Sequence, residues 1–199
     1  MTALYILLIA ASYLLGSVPF GLILGRVWTG VDVRRYGSGN IGATNVLRTL
    51  GLRFALATFV LDAGKGALPT LLAKALGAGP SVAAVAGLAA VVGHNWSVFL
   101  QFRGGKGIAT SWGFMMSAVP QAGIAFALIW MAVVALTRYV SLGSMVGAVA
   151  VPIVCLLVGA PGAYVVASSA VAVFAVVRHK SNVQRLRSGT ENRFRLKKS

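Results

Sequence analysis

The chain has 199 residues, 58% of them hydrophobic, and a formal net charge of +15 from 18 Lys and Arg against three acidic residues. Hydropathy this high excludes an ordinary soluble domain. The basic residues fall in short segments between long uncharged stretches, which argues against nucleic acid and for anionic lipid headgroups and phosphorylated compounds. Asp32, Asp62 and Glu191 are scattered and Cys155 stands alone in an apolar run, so a carboxylate-held metal, a two-metal phosphotransferase and a disulfide framework are all excluded.

The first apolar stretch, 3–25, is long enough to span a bilayer. It lacks the basic start and small-residue cleavage site of a signal peptide, and reads as a retained helix. Further stretches run over 54–76, 80–102, 107–137 and 139–177, the last interrupted by Gly159-Ala160-Pro161-Gly162. As one helix, 107–137 would be roughly 46 Å long at about 1.5 Å per residue, and Pro120 lies near its middle. If it crosses once, the basic loops divide evenly between the two sides. If Pro120 marks a turn, Arg26, Arg34, Arg35, Arg48, Arg53, Arg103, Lys106, Arg138 and the tail share one face, leaving Lys74 opposite. The positive-inside rule selects the second arrangement. The expectation is an all-α, polytopic membrane protein forming a single domain over 1–199, with seven transmembrane helices, one or more of them short. Its N-terminus is outside and its C-terminus cytoplasmic, in the cell's inner membrane.

Within the second stretch, Asp62 and Lys65 stand three positions apart. An unpaired charge at the bilayer centre costs about 2.5–3.5 kcal/mol on insertion scales, so they pair with each other or line a polar cavity.

Three polar clusters interrupt the apolar chain, all on the expected cytoplasmic face. The first is Gly37-Ser38-Gly39-Asn40-Ile41-Gly42-Ala43-Thr44-Asn45, followed by Arg48. It matches a dinucleotide-binding glycine pattern only superficially, because no βαβ context surrounds it. Ser38, Asn40, Thr44 and Asn45, with free glycine amides, are candidates for holding a phosphate or oxyanion beside Arg48. The second is Gly104-Gly105-Lys106-Gly107, at the start of an apolar segment. Bare glycine amides, an ammonium and a helix start make an anion site suited to a substrate phosphate, without the nucleotide-binding Walker pattern. In the third, His179 and Asn182 lie three apart, on one face of a helix, where one substrate would meet both. Arg193, Arg195, Lys197 and Lys198 are assigned to lipid phosphates, and Glu191, the only carboxylate of the tail, to an internal salt bridge. His94, near a helix end, is open between a structural and a functional role, and Ser141 between a helix cap and a pocket residue.

Together these clusters resemble the bacterial membrane-integral glycerol-3-phosphate acyltransferases that use acyl phosphate as donor. The likeness covers nearly the whole chain. It rests on Ser38 to Asn45, on Gly93-His94 leading to Phe102-Arg103-Gly104-Gly105-Lys106-Gly107, and on His179-x-x-Asn182-x-x-Arg185-Leu186-x-x-Gly189-x-Glu191. The resemblance implies transfer of a fatty acyl group to the 1-hydroxyl of glycerol 3-phosphate, giving lysophosphatidic acid and phosphate, the first step of phospholipid synthesis. It implies Ser38, Arg48, His179 and Asn182 as essential residues, the loop from Gly104 to Gly107 for glycerol 3-phosphate, Ser141 in the pocket, and Glu191 as structural. The partners it implies are acyl phosphate, glycerol 3-phosphate, membrane lipids and the soluble enzyme that forms acyl phosphate.

Two phosphorylated substrates repel one another where water screens poorly, so Arg48, Lys106 and either Lys65 or Arg185 are expected to offset that charge. An acyl phosphate is already activated, so orientation, oxyanion stabilisation and one proton acceptor suffice, with no metal or carrier cofactor. The acceptor is either His179 or the substrate's own phosphate. The alternative function, a transporter of organic phosphates, calls for polar groups at the midplane of broken helices instead of at one face.

Overall fold

The computed structural model describes residues 2–194, and every regular element among them is helical. Arg195, Lys197 and Lys198 lie outside the described residues.

Pro19 breaks the first apolar stretch, because a proline disfavours helical backbone at the residue before it. Helix α1 (Thr2–Ser17) therefore ends, and α2 (Phe20–Thr29) resumes after a 45° bend. A short turn of 3-10 helix, Val33–Arg35, opens on Asp32, whose carboxylate accepts from Arg34 N at 3.0 Å. The first glycine loop follows, then α3 (Ala43–Leu50) and the long α4 (Leu52–Ala75). Pro80 starts α5 (Pro80–Asn95) at the position where its missing N–H costs nothing. The second glycine loop leads into α6 (Ile108–Ala118), and Pro120 begins α7 (Pro120–Thr137). The stretch 107–137 is thus two helices, divided where the proline ring removes a helical hydrogen bond. The stretch 139–177 divides likewise, into α8 (Val140–Leu157) and α9 (Gly162–Arg178). A 55° bend at His179 then turns the chain into α10 (Lys180–Arg187).

Among the described residues, four segments are long and apolar enough to cross a membrane by themselves: α4, the stretch Pro80–Leu100, α7 and α8. The bent pairs α1 with α2 and α9 with α10 also qualify when each is taken as one span, which raises the number to six. Helix α6 has 11 residues, about 16 Å at 1.5 Å per residue, and is too short to qualify alone.

Helix α6 packs along α4, α1 along α5, and α7 along α8. The first contact is backbone against backbone. A methyl group on Gly66 would strike the main chain of Thr110, and one on Gly113 that of Ala63, so only glycine permits this approach. Phe114, Met115, Val91 and Cys155 fill the interior among alanines. Leu136, Leu157 and Val166 point outward, as a lipid-facing surface requires.

Two lysines serve helix ends, Lys65 buried within the apolar body and Lys74 exposed at its edge. Lys65 pairs with Asp62 at 2.7 Å and donates to Val18 O at 2.7 Å, the carbonyl that the Pro19 break exposes. Lys74 donates to Ser117 O at 2.6 Å and Ala118 O at 3.2 Å, the last carbonyls of α6.

Candidate active site

The three polar clusters meet around one cavity of about 420 Å³, with Ser38 and Asn40 from the first, Gly104 and Lys106 from the second, and Lys180, Ser181, Gln184 and Arg185 from the third.

The first loop is folded around the amide of Asn45. Its Oδ1 accepts from Ser38 N at 2.8 Å and lies 3.2 Å from Ser38 Oγ, and its Nδ2 donates to Val33 O and Asn40 O at 2.8 Å each. Asn45 is 2% exposed, so its hydrogen bonds are spent on the loop instead of on a ligand. Asn40 Oδ1 accepts from Gly42 N, and Gly39 N donates to Tyr36 O. The glycine amides expected to be free at positions 39 and 42 are therefore occupied, and the loop offers the exposed Ser38 hydroxyl to the cavity. Thr44 does not line the cavity. Arg48, exposed on α3, lies within electrostatic reach of Glu191 and Arg185.

The second loop is clamped from both sides. Gly105 N donates to His94 O at 2.9 Å, while Arg178 donates from Nε to Gly105 O at 2.9 Å and from Nη2 to Gly104 O at 2.7 Å. Gly107 adopts φ +74°, a left-handed conformation suited to glycine, immediately before α6. Between them Lys106 reaches Asn182, donating to its Oδ1. Burial pushes the Lys106 ammonium down to about 8; Glu191 opposes that shift, and Arg185, Arg48 and Arg178 reinforce it.

In the third cluster His179 sits at the bend between α9 and α10 instead of sharing a helix face with Asn182 of α10, and both side chains turn inward; they are 3% and 5% exposed. Nδ1 of His179 lies 2.7 Å from Ala175 O, a partner that can only accept, so the ring proton sits on Nδ1 and the lone pair on Nε2. Asn182 Nδ2 donates to Glu191 Oε1 at 2.7 Å, Ser141 Oγ donates to the same oxygen at 2.8 Å, and Arg185 Nε donates to Oε2 at 2.8 Å. Burial alone would raise the Glu191 pKa, but hydrogen bonds from Asn182, Ser141 and Arg185 outweigh it and hold the carboxyl below the usual glutamate range. The tail continues past this knot: Phe194 N donates to Arg138 O at 2.7 Å, which straps it across the turn between α7 and α8.

Among the described residues, six cationic side chains line the cavity, Arg34, Arg103, Lys106, Arg178, Lys180 and Arg185, and no carboxylate does. Arg34 is oriented by Asp32, which accepts from its Nε at 3.0 Å and Nη2 at 2.7 Å and also pairs with Arg26 at 2.8 Å. Hydrogen bonding from Arg34 holds the Asp32 carboxyl far below its ordinary range despite partial burial. Arg34, Arg103, Arg178 and Lys180 were not among the sequence-derived site residues. Nothing local distinguishes them from lipid-facing cations, and only the hydrogen bonds of Arg178 to the glycine loop reveal its place. Lys65 stands apart. Its ammonium is committed to Asp62 and Val18 O, and it does not line the cavity.

This geometry can hold phosphates by cations, hydroxyl and main chain without a carboxylate to repel them. Residues 6–189 match the family described as glycerol-3-phosphate acyltransferase. A glycerol-3-phosphate acyltransferase of Desulforudis audaxviator is 48% identical over 193 residues, 97% of each chain. One of Geobacter sulfurreducens is 47% identical over 191 residues, covering 96% of this chain and 97% of its own. The crystal structure of PlsY, an integral membrane glycerol 3-phosphate acyltransferase, in its glycerol 3-phosphate form superposes with a TM-score of 0.91 at 36% identity, covering 96% of both chains. Its lysophosphatidic acid form gives 0.89 at 36% identity, covering 96% of this chain and 95% of that one. The organic-phosphate transporter reading has no support among these relatives. The chain is a multi-pass membrane acyltransferase and belongs to the glycerol-3-phosphate acyltransferase family.

Proposed function

We propose that the chain transfers a fatty acyl group from acyl phosphate to the 1-hydroxyl of glycerol 3-phosphate, giving lysophosphatidic acid and inorganic phosphate. The cavity, which among the described residues is lined by six cations and no carboxylate, carries this reading, because both substrates bring a phosphate and their mutual repulsion must be offset in a poorly screened site. The glycerol oxygen attacks the acyl carbonyl carbon, the bond from that carbon to the phosphate oxygen breaks, and the hydroxyl proton leaves to a base.

Lys106 and the loop from Gly104 to Gly107 bind glycerol 3-phosphate, with Asn40 in the cavity wall and Ser141 acting through Glu191. Ser38 and Arg48 steady the reacting acyl phosphate. Asn182 holds Lys106, and Nε2 of His179 is the protein atom suited to take the proton, with the substrate's phosphate as the other acceptor.

Seven crossings, counting α6 as a short span against α4, put the N-terminus outside and all three clusters beside the cytoplasm. That assignment follows the distribution of basic loops. The site then draws acyl phosphate from the inner leaflet of the cytoplasmic membrane and from the soluble enzyme that makes it.

Purified protein in detergent, given acyl phosphate and glycerol 3-phosphate, is expected to release lysophosphatidic acid and phosphate in equal amounts. Acyl-CoA accepted in place of acyl phosphate, with no phosphate released, overturns the donor assignment. Cysteines placed at 38 and 106 are expected to resist an impermeant reagent applied outside intact cells.

A further inference from the structure

The proposed chemistry leaves unused a buried polar cluster directly behind the second glycine loop. Asp62, Lys65, His94, Asn95 and Thr110 are each no more than 4% exposed, inside helices that pack at the centre of an apolar body. Insertion scales put an unpaired ionised side chain at this depth at about 2.5–3.5 kcal/mol, and replacing a buried pair by apolar residues is often neutral or stabilising, so stability alone does not account for it.

Its geometry points at the loop. Lys65 Nζ lies 2.7 Å from Asp62 Oδ1, and the same oxygen lies 3.6 Å from His94 Nδ1, too long for a hydrogen bond but close enough to orient the ring electrostatically. The other ring nitrogen abuts the loop, since a methyl on Gly105 would collide with His94 Nε2. The carbonyl of the same histidine receives Gly105 N at 2.9 Å. One on Gly107 would meet Asn95 Oδ1 at 2.5 Å. Lys65 ties this assembly to the break between α1 and α2 through Val18 O, and Ser97 Oγ donates to the neighbouring Ser17 O at 2.6 Å. Both amide atoms of Asn95, Thr110 Oγ1 and His94 Nδ1 are buried without a hydrogen-bond partner among the described residues. Buried polar groups of this kind are ordinarily satisfied, and internal water is the usual means in a polar site.

We infer that Asp62, Lys65 and His94 form a buried platform, completed by internal water at Asn95 and Thr110, that fixes the height and tilt of the Gly104–Gly107 loop and so sets the affinity for glycerol 3-phosphate. These are positioning residues, reaching the substrate only through the loop. The inference rests on the proposed assignment of that loop to glycerol 3-phosphate.

The test combines steady-state kinetics with amide exchange over 103–108 in D62N, K65M, H94A, H94Q and the doubly neutral D62N/K65M. H94A and K65M are expected to raise KM for glycerol 3-phosphate about tenfold with kcat within about threefold, a signature of lost uniform binding. H94Q restores part of the KM, and exchange at Gly105 quickens in step with KM. If D62N alone does not fold, the double variant, which leaves no unpaired buried charge, carries the test with the same expectation. Wild-type KM and wild-type exchange at Gly105 in both H94A and the double variant overturn the platform. So does a loss confined to kcat. Amide exchange reads the platform even if the wild-type protein transfers no acyl group, which is how failure of the proposed reaction is told apart.

Discussion

Asn182 and Glu191 are joined by a 2.7 Å hydrogen bond from Asn182 Nδ2 to Glu191 Oε1, and this bond turns the other end of the same amide, Oδ1, toward Lys106 Nζ. An amide has one donor end and one acceptor end, so a fixed acceptor on one side fixes what the other side presents. A carboxylate on the tail thereby reaches the cavity through one side chain, without placing its own negative charge among the lining residues. For Glu191→Ala the expectation is a stability loss of about 1–3 kcal/mol, from the donors left unpaired on Ser141 and Asn182. Acyl transfer falls as Asn182 turns. Thermal unfolding in detergent and initial rates on the same preparation check both.

The lowered pKa of Lys106, about 8, makes a prediction about pH. Below that value the ammonium is charged and attracts the substrate phosphate; above it the site loses a cation while the phosphate stays dianionic. KM for glycerol 3-phosphate is therefore expected to climb above pH 8, approaching about tenfold per unit, well before an ordinary lysine near 10.4 would titrate. Lys106→Arg keeps its charge throughout and is expected to abolish that limb, at the cost of a weaker fit to Asn182. KM measured from pH 6.5 to 9.5 for both proteins decides it.

Arg103 and Lys180 line the cavity from its exposed rim. Replacing either with Gln is expected to raise the KM of a phosphorylated substrate by about three- to tenfold with little change in kcat, and to flatten the dependence on salt, because exposed cations act over a Debye length near 10 Å at 0.1 M. Rates at 20 and 200 mM salt distinguish this from a fold defect.

Lys74, alone on the face opposite the site in the proposed topology, caps the last carbonyls of α6. Lys74→Met strands those carbonyls, and a loss of about 1–2 kcal/mol in stability with kcat unchanged is expected. Lys74→Arg keeps the donors and most of the stability, as unfolding curves in detergent should show.

Much of this protein could be read along the chain. Long uncharged stretches dictate membrane helices because an unpaired peptide group in lipid is costly, and Pro120 and the glycine-proline turn at 159–162 mark breaks because backbone sterics act locally, whereas the break at Pro19 inside the stretch 3–25 appears only in the structure. The gathering of cations in glycine-rich loops was equally visible, since Lys106 and Arg185 stand in polar segments of a chain with three carboxylates. Side-chain direction was not, because it is set by partners distant in sequence. Asn45 turned inward to Val33 O; Lys65 withdrew to a carbonyl 47 residues away; Arg178 took up the carbonyls of Gly104 and Gly105, over 70 positions back. What the amino-acid sequence determined was where the long apolar helices lie and which loops gather the cations. Which side chain faces the substrate and which holds another in place was decided by tertiary packing alone, because a buried polar group takes whatever partner the neighbouring helix brings within 3 Å.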